Sequence, residues 1–109
     1  MEKDCIFCKI IRNEIPTQMV LKNDVVVAFK DIRPQAPVHF LIVPVKHIRS
    51  INDLEDHDQG IVSDMIMAAR QLAKQESIAS SGYKIQFNVE KGGGQEVFHL
   101  HMHLLGGWK

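Results

Sequence analysis

Apolar residues recur at two different periods along the chain, and the change of period predicts where helices and strands lie. Spacings of three and four between positions 61 and 73 predict one long amphipathic helix from about Leu54 to Glu76. The same spacing near the start predicts a short helix from Cys5 to Glu14, with Asp4 as its cap. Pro16 prevents that helix from continuing.

Runs of β-branched and alternating apolar residues predict the strands. Asn23 and Asp24 separate two of these runs and predict a hairpin, whereas prolines at 34 and 37 and glycines at 92–94 mark loops. The predicted strands are Met19–Lys22, Val25–Lys30, His39–Val45, Tyr83–Val89 and Val97–Leu105. Strands that follow one another in this way favour an α+β fold. We expect an antiparallel sheet of about five strands, with one short N-terminal and one long central helix, in a single domain spanning residues 1–109.

Composition narrows the class of protein. Thirteen acidic and thirteen basic residues cancel, so there is no sign of a basic nucleic-acid surface. No apolar run approaches the ~20 residues of a membrane span, and the first residues lack the pattern of a signal peptide. The only two cysteines lie three residues apart, which is not a disulfide framework. These features favour a soluble cytoplasmic protein without nucleic-acid or membrane partners.

The most informative stretch is the predicted last strand, where His99, His101 and His103 alternate with apolar residues. Side chains two apart share one face of a strand at intervals of about 7 Å, so the three imidazoles are expected to form a row. Such a row can bind a metal, hold an anion or attack an electrophile, and surface histidines are the alternative. One tetrahedral zinc, with nitrogen ligands at about 2.0–2.1 Å, can hardly take all three. At least one histidine is therefore left for an anion or for nucleophilic attack.

A glycine-rich loop directly precedes this row. Gly92, Gly93, Gly94 and Gln95 can present successive backbone N–H groups to an anion. The loop is not a P-loop, because the Lys-Ser/Thr ending is missing and a strand follows instead of a helix. A plain flexible turn is the alternative. Next to a row of histidines, the loop favours phosphate as the ligand.

The stretch from His99 to Leu105 is similar to the signature of the histidine triad family, in which three histidines alternate with apolar residues and two apolar residues follow. The resemblance covers nearly the whole chain. It includes the Cys5–Ile11 helix, the Ala28–His39 strand and loop, Asn88, and the Gly93–Phe98 approach to the triad. These stretches resemble the Hint-like branch, of the bacterial zinc-containing type, and imply its HIT-like α+β fold.

The resemblance implies hydrolysis or transfer at the α-phosphorus of a nucleoside phosphoramidate or a related nucleoside monophosphate derivative. His101 matches the nucleophile, which forms a nucleotidyl-histidine intermediate. His103, Asn88 and the Gly94-Gln95 backbone match the donors to the phosphate, and His39 matches the family's fourth histidine. An imidazole with a pKa near 6.5 is largely neutral at pH 7 and can attack, particularly if its other nitrogen is bonded to a backbone carbonyl.

The resemblance also implies a site for a purine nucleoside. Asp31 is expected to accept hydrogen bonds from the ribose hydroxyls. The remaining residues matched to the substrate site are apolar, and a role in the core is their alternative: Ile6, Phe7, Ile10, Phe29, Ile32 and Val97. An apolar pocket has no hydrogen-bond code, so loose purine selectivity is expected.

The two cysteines match a structural zinc site in bacterial relatives. The implied ligands are Cys5, Cys8, His47 and His99, a closed tetrahedral set that would hold the first helix against the sheet. Two buried cysteines without a metal are the alternative. Zinc is the only cofactor expected, and none is needed for the chemistry.

Two departures from the family pattern affect the active site. Glu96 stands where the Hint-like branch usually has serine, although bacterial members often carry Glu, which leaves open how the leaving group is protonated. The C-terminus is short, so we expect a more open site, with Trp108 as the remnant of the family's tail. Family members are homodimers, here expected through the long helix and the 83–89 strand.

Alternative functions remain open at this stage. They are a non-catalytic nucleotide-binding or interaction protein, a dinucleoside polyphosphate hydrolase, and a metalloenzyme whose histidine row holds a catalytic metal.

Overall fold

The computed structural model describes residues 4–108. Its two α-helices are α1 (Ile6–Ile11) and α2 (Gln59–Gln75), and its five strands are β1 (Met19–Lys22), β2 (Val26–Lys30), β3 (Val38–Pro44), β4 (Tyr83–Phe87) and β5 (Met102–Gly106). All neighbouring strands pair antiparallel, in the order β1-β2-β3-β5-β4. The expected α+β fold with a five-stranded antiparallel sheet is therefore confirmed. No helix among these residues is long and apolar enough to cross a membrane.

The sheet divides the core into two layers. Alternate residues of β3 point to opposite faces, as the pleat requires. Phe40 and Ile42 pack under α2, with Met65 and Leu72 of that helix. The other face packs against α1, in a smaller cluster of Phe7, Ile10, Val27, Phe29, Leu41 and Val43.

The first helix is shorter than predicted and has a different cap. Asp4 does not cap it: Cys5 takes the cap position in an extended conformation, and its Sγ accepts a hydrogen bond from the Cys8 N–H at 3.4 Å. The helix ends at Ile11, and Asn13 follows in the left-handed region. Because the capping atom is the thiol sulfur, the cap also fixes the side chain of Cys5.

The long helix begins five residues later than predicted, at Gln59. Two 3₁₀ turns, Ile51–Asp53 and Asp56–Asp58, occupy the segment before it. The side chain of Asp58 accepts from the Glu55 N–H at 2.9 Å and closes the second turn. Polar residues at 55–59 satisfy their backbone locally, which explains why apolar periodicity alone places the helix start too early.

The histidine segment is only partly a strand. Pairing with β3 begins at Met102, and His99, Leu100 and His101 lie in the irregular chain before it. The Leu100 N–H instead donates to the carbonyl of Ile48. Leu100, Met102 and Leu104 are buried under α2. The three histidines therefore do not form the expected evenly spaced row along one strand.

Candidate active site

The ring of His101 has a fixed tautomer. Its Nδ1 lies 2.8 Å from the carbonyl oxygen of His99, and a carbonyl can only accept, so Nδ1 carries the proton and donates. The Nε2 atom then holds a lone pair. Burial lowers the pKa of His101 below 6.5, which keeps the ring neutral at pH 7. The expected bond to a backbone carbonyl is confirmed, and it leaves Nε2 of His101 unprotonated and chemically able to attack an electrophile.

A second chain of hydrogen bonds fixes the protons on His39 and His103. The Gln35 N–H donates to Nδ1 of His39 at 3.1 Å, so the proton of His39 must be on Nε2. That Nε2 lies 2.9 Å from Nδ1 of His103 and donates to it. The remaining nitrogen of His103, Nε2, must then carry a proton and can serve as a donor. The centre of the His103 ring lies 5.1 Å from that of His101.

Asp31 lies beside this pair. One carboxylate oxygen accepts from the Arg33 N–H at 2.8 Å, and the other lies 3.5 Å from Nε2 of His39. Asp31 is only partly buried, at the mouth of the histidine pair. Its carboxylate is therefore open to further donors.

The apolar residues matched to the nucleoside pocket separate into two groups. Phe7, Ile10 and Phe29 are at most 7% exposed and belong to the core under α1. The Phe7 ring packs edge-on against His101 at 5.2 Å between centroids, so it directly supports the position of the His101 ring. Ile6 and Ile32 are 46% and 88% exposed, and Val97 is partly buried against the same core. These three offer apolar surface to a ligand.

The glycine-rich loop does not present the expected successive backbone N–H groups to an anion. The N–H groups of Gly93 and Gln95 both donate to the carbonyl of Glu90, and that of Gly94 donates to Lys91, each at 3.0 Å. The expectation of successive free N–H groups is wrong for these residues because the loop closes on itself as a 3₁₀ turn. The Asn88 amide donates to the Gly93 carbonyl at 2.8 Å. The loop is thus a folded unit and not an open concavity.

Four metal-ligating side chains converge between α1 and the sheet. One ligand atom each from Cys5, Cys8, His47 and His99 lies within 4.8 Å of all the others. The Nδ1 atoms of His47 and His99 are 3.1 Å apart, and the measured sulfur–nitrogen distances are 3.3, 3.4 and 3.5 Å. Zinc–ligand bonds of about 2.0–2.3 Å in a tetrahedron give ligand–ligand edges of about 3.3–3.8 Å. The cluster therefore has the dimensions and the donor types of a tetrahedral metal site.

The second nitrogen of His99 supports this geometry. Its Nε2 donates to the carbonyl of Pro44 at 2.8 Å, which leaves Nδ1 unprotonated toward the cysteines. Burial lowers the pKa of His99 to about 4. The sequence predicted the four residues of this cluster but gave no indication of Pro44 and Gln35. Both act through backbone atoms, which leave no signal in residue identity.

Two further groups of side chains among the described residues could also hold a metal ion. Asp31, His39 and His103 also have ligand atoms within 4.8 Å of one another. The third group, Glu55, His57 and Asp58, lies at the start of α2, where Lys46 already pairs with Asp58. The structure thus separates His99, in the cysteine cluster, from His101 and His103.

Known proteins match this chain along almost its full length. A family model described as scavenger mRNA decapping enzyme C-term binding matches residues 4–107. A purine nucleoside phosphoramidase of Escherichia coli (strain K12) is 49% identical over 98% of this chain and 90% of its own. Among solved structures, a HIT family hydrolase from Legionella pneumophila is 49% identical and superposes with a TM-score of 0.95, covering 97% of this chain and 95% of its own. A histidine triad protein from Clostridium difficile is 43% identical with a TM-score of 0.97, over 100% and 95%.

Proposed function

The chain belongs to the histidine triad family, and we propose that it hydrolyses purine nucleoside phosphoramidates through a nucleotidyl intermediate on His101. The relative from Escherichia coli named purine nucleoside phosphoramidase supports the reaction class. The observation that carries the assignment to His101 is its Nδ1 bond to the His99 carbonyl, which leaves Nε2 free to attack. We propose a cytoplasmic location, where nucleotides and reduced thiols coexist.

In the first step, the Nε2 lone pair of His101 attacks the α-phosphorus. A P–N bond to the ring forms, and the P–N bond to the leaving amine breaks. The electron pair of the broken bond goes to the amine nitrogen, and this nitrogen takes up a proton. The ring becomes positively charged, and its Nδ1–H bond to the His99 carbonyl stabilises that charge. Burial is the main cause of the lowered pKa of His101. The carboxylates of Asp31 and Glu96 act in the opposite direction and raise this pKa, so they also favour the charged ring.

In the second step, water attacks the same phosphorus. The bond to Nε2 of His101 breaks, its electron pair returns to the ring, and the water proton is released as the nucleoside monophosphate forms. In both steps charge builds on the phosphoryl oxygens. The Nε2–H of His103, fixed by the His39 relay, is a preorganised donor for one of them.

The nucleoside is proposed to lie along the face between Asp31 and α1. Asp31 accepts from the ribose hydroxyls, and the exposed apolar side chains of Ile6, Ile32 and Val97 contact the purine. The folded loop that contains Asn88, Gly94 and Gln95 is proposed to lie on the phosphate side, and its internal hydrogen bonds fix its shape. Phe7, Ile10 and Phe29 support this surface from the core.

We propose that the Cys5, Cys8, His47 and His99 cluster holds one structural zinc. Its dimensions fit, and a set of four protein ligands leaves no open position for substrate. When bound, the metal would tie α1 to the sheet. Zinc would support the nucleophile indirectly, because Phe7 of α1 packs on His101 and the carbonyl of the ligand His99 accepts from Nδ1 of His101.

We further propose a homodimer through α2 and β4. Both elements expose large apolar side chains on the described surface: Ile66, Met67, Tyr83 and Ile85. β4 is also an edge strand, with β5 on one side only. An edge strand with exposed apolar residues is a typical pairing surface.

Turnover of an adenosine phosphoramidate tests the proposed reaction. The wild-type protein is expected to release AMP, and mass spectrometry after a rapid quench is expected to show one nucleotidyl group per chain. His101→Ala is expected to lose both signals. His57→Ala is the matched control, because His57 is exposed and lies outside the candidate site. It should retain wild-type turnover.

Other outcomes would favour other functions. Binding of AMP without turnover of any phosphoramidate or dinucleoside polyphosphate would favour a binding protein. Loss of turnover on chelation, with recovery on adding metal and full activity in His101→Ala, would favour a catalytic metal at Asp31, His39 and His103.

A further inference from the structure

Glu90 has a backbone conformation that side chains rarely adopt. Its φ is +58° and its ψ is 178°, a region that is essentially restricted to glycine. Glycine is plentiful in this loop, at positions 92, 93 and 94, yet residue 90 is a glutamate. A strained residue of this kind persists only where its surroundings hold it in place. The contacts of its side chain therefore need an explanation.

The carboxylate of Glu90 is bound by two residues from the segment after β3. Arg49 donates from Nη2 to one oxygen at 2.9 Å and from Nε to the other at 3.3 Å, a bidentate pair. The hydroxyl of buried Ser50 donates to the second oxygen at 2.7 Å. This arrangement is more specific than an ordinary surface ion pair, since a buried hydroxyl and a planar guanidinium fix the same carboxylate.

The backbone of Glu90 holds the glycine loop closed. Its carbonyl accepts from the N–H groups of Gly93 and Gln95, and its own N–H donates to the side-chain oxygen of Gln95 at 2.8 Å. The Gln95 amide then donates to the carbonyls of Arg49 and Val97. Side chain and backbone of one residue thus join the 49–50 segment to the whole turn at 90–95.

The same contacts reach the chain that carries the nucleophile. Gln95 is buried and holds the carbonyl of Val97, two residues before His99. The guanidinium of Arg49 also lies 4.3 Å from the ring centre of Phe98. Arg49 and Gln95 therefore fix both the 90–95 turn and the 97–98 segment.

We propose that Glu90 is a positioning residue for the proposed reaction, whose carboxylate locks the 90–95 turn and so places the phosphoryl group in line with Nε2 of His101. This inference rests on the proposed function. Small displacements of a reacting group reduce rate far more than they reduce binding. Loss of the Glu90 carboxylate should therefore lower kcat, while the nucleoside contacts of Asp31, Ile6 and Ile32, which come from other elements, remain.

Glu90→Gly is the decisive variant, because glycine relieves the backbone strain and removes only the carboxylate's contacts. With an adenosine phosphoramidate, kcat is expected to fall by about ten- to a hundredfold. The affinity for AMP is expected to fall, whereas the affinity for adenosine should stay within about twofold of wild type. Glu90→Gln keeps the shape of the side chain and one acceptor, so its kcat should lie between those of wild type and Glu90→Gly. It replaces the glycine variant if that variant fails to fold.

Two control variants separate positioning from general effects. Ser77→Gly relieves the backbone strain of another residue in the left-handed region, at φ +60°, outside the site. Glu14→Gln removes the carboxylate of another arginine pair, with Arg12. Both should keep wild-type kcat. Arg49→Ala and Glu90→Gly combined should cost less than the sum of the two, since both act through one contact.

The outcomes are distinguishable from failure of the proposed function. A folded Glu90→Gly variant with wild-type kcat and wild-type AMP affinity, at whatever melting temperature, overturns the inference alone. A wild-type protein that neither turns over a phosphoramidate nor binds AMP overturns the proposed function and this inference together.

Discussion

Nε2 of His39 lies 2.9 Å from Nδ1 of His103, so a side-chain hydrogen bond adds to the backbone pairing of β3 with β5 on the face opposite α2. His39 is opposite Leu105 and His103 is opposite Leu41, which makes the two histidines diagonal neighbours. The bond has a direction, because the Gln35 N–H already occupies the other nitrogen of His39. The backbone amide of Gln35, between Pro34 and Pro37, thus determines that the proton of the neutral His103 ring is on Nε2.

A neutral His103 predicts a pH-dependent stability. Burial, with the nearby rings of His101 and His39, lowers its pKa from 6.5 to about 4, although Asp31 opposes this. Between these values the unfolded chain binds a proton that the folded chain does not, so stability falls as the pH drops from 6.5 toward 4. The free energy of unfolding, from urea titrations, should decline less steeply over this range in His103→Asn than in wild type. Parallel declines in the two proteins would contradict it.

Removal of the proposed zinc has a predicted effect on stability. Cys8→Ser is expected to lose the metal and about 3 kcal/mol or more of folding free energy, because a closed metal site contributes to folding directly. Protein purified without chelator should contain about one zinc per chain by mass spectrometry of the native state. In the presence of a strong chelator the wild type should fall to the stability of the variant.

The control for this prediction is a variant of similar burial. Ala69→Ser changes a buried α2 residue away from the four ligands and should keep its zinc while losing some stability. Metal-free wild type with reduced thiols and unchanged stability would exclude the zinc site.

The sequence predicted β3 because a strand that is buried on both faces is a continuous apolar run. Phe40 and Ile42 pack under α2, and Leu41 and Val43 pack under α1. For β5 the prediction relied on alternation and extended the strand too far, to Val97. Alternation of His99, Leu100 and His101 continues there, but Leu100 bonds to Ile48 and not to a strand partner. The side-chain pattern carries no information about which backbone carbonyl accepts the hydrogen bond of a given N–H.

The candidate site shows a similar limit. The proposed metal ligands and the proposed nucleophile have distinctive side chains, so a motif can name them. The tautomers of His99, His101 and His39 depend on Pro44, on His99's own carbonyl and on Gln35, all through the backbone. The expected anion loop was wrong for a related reason, because N–H groups that a glycine run exposes in sequence are bonded to Glu90 and Lys91 in the fold.

Asp58 is predicted to stabilise the start of α2 in a pH-dependent way. Its carboxylate is 2% exposed and binds Lys46 at 2.8 Å and the Glu55 N–H at 2.9 Å. The Lys46 bond, then the backbone bond, lower the pKa of Asp58 below 3.8. Its contribution is therefore fully present above pH 3.8 and is lost as the pH falls through the lower folded value.

Asp58→Asn tests this contribution. It should reduce the free energy of unfolding at pH 7, and its difference from wild type should shrink on acidification below pH 4, as followed by circular dichroism in urea. The matched control is Asp56→Asn, an exposed aspartate in the same turn, which should be nearly neutral at both pH values. Equal effects of the two substitutions would rule out a special role for Asp58.

The proposed dimer predicts that a charge on β4 separates the subunits. Ile85 is 44% exposed on the edge strand, opposite Leu104 of β5, so its side chain is free to contact another chain. Ile85→Glu places a carboxylate on that surface, and burying it without a partner in an interface is costly. Sedimentation velocity should show a dimer for wild type and a monomer for the variant. Ile32→Glu, at a more exposed apolar residue in the loop between β2 and β3, is the control for a general effect of charge and should remain dimeric. A wild-type monomer at high protein concentration would contradict the proposal, as would a dimer unaffected by Ile85→Glu together with Ile66→Glu on α2.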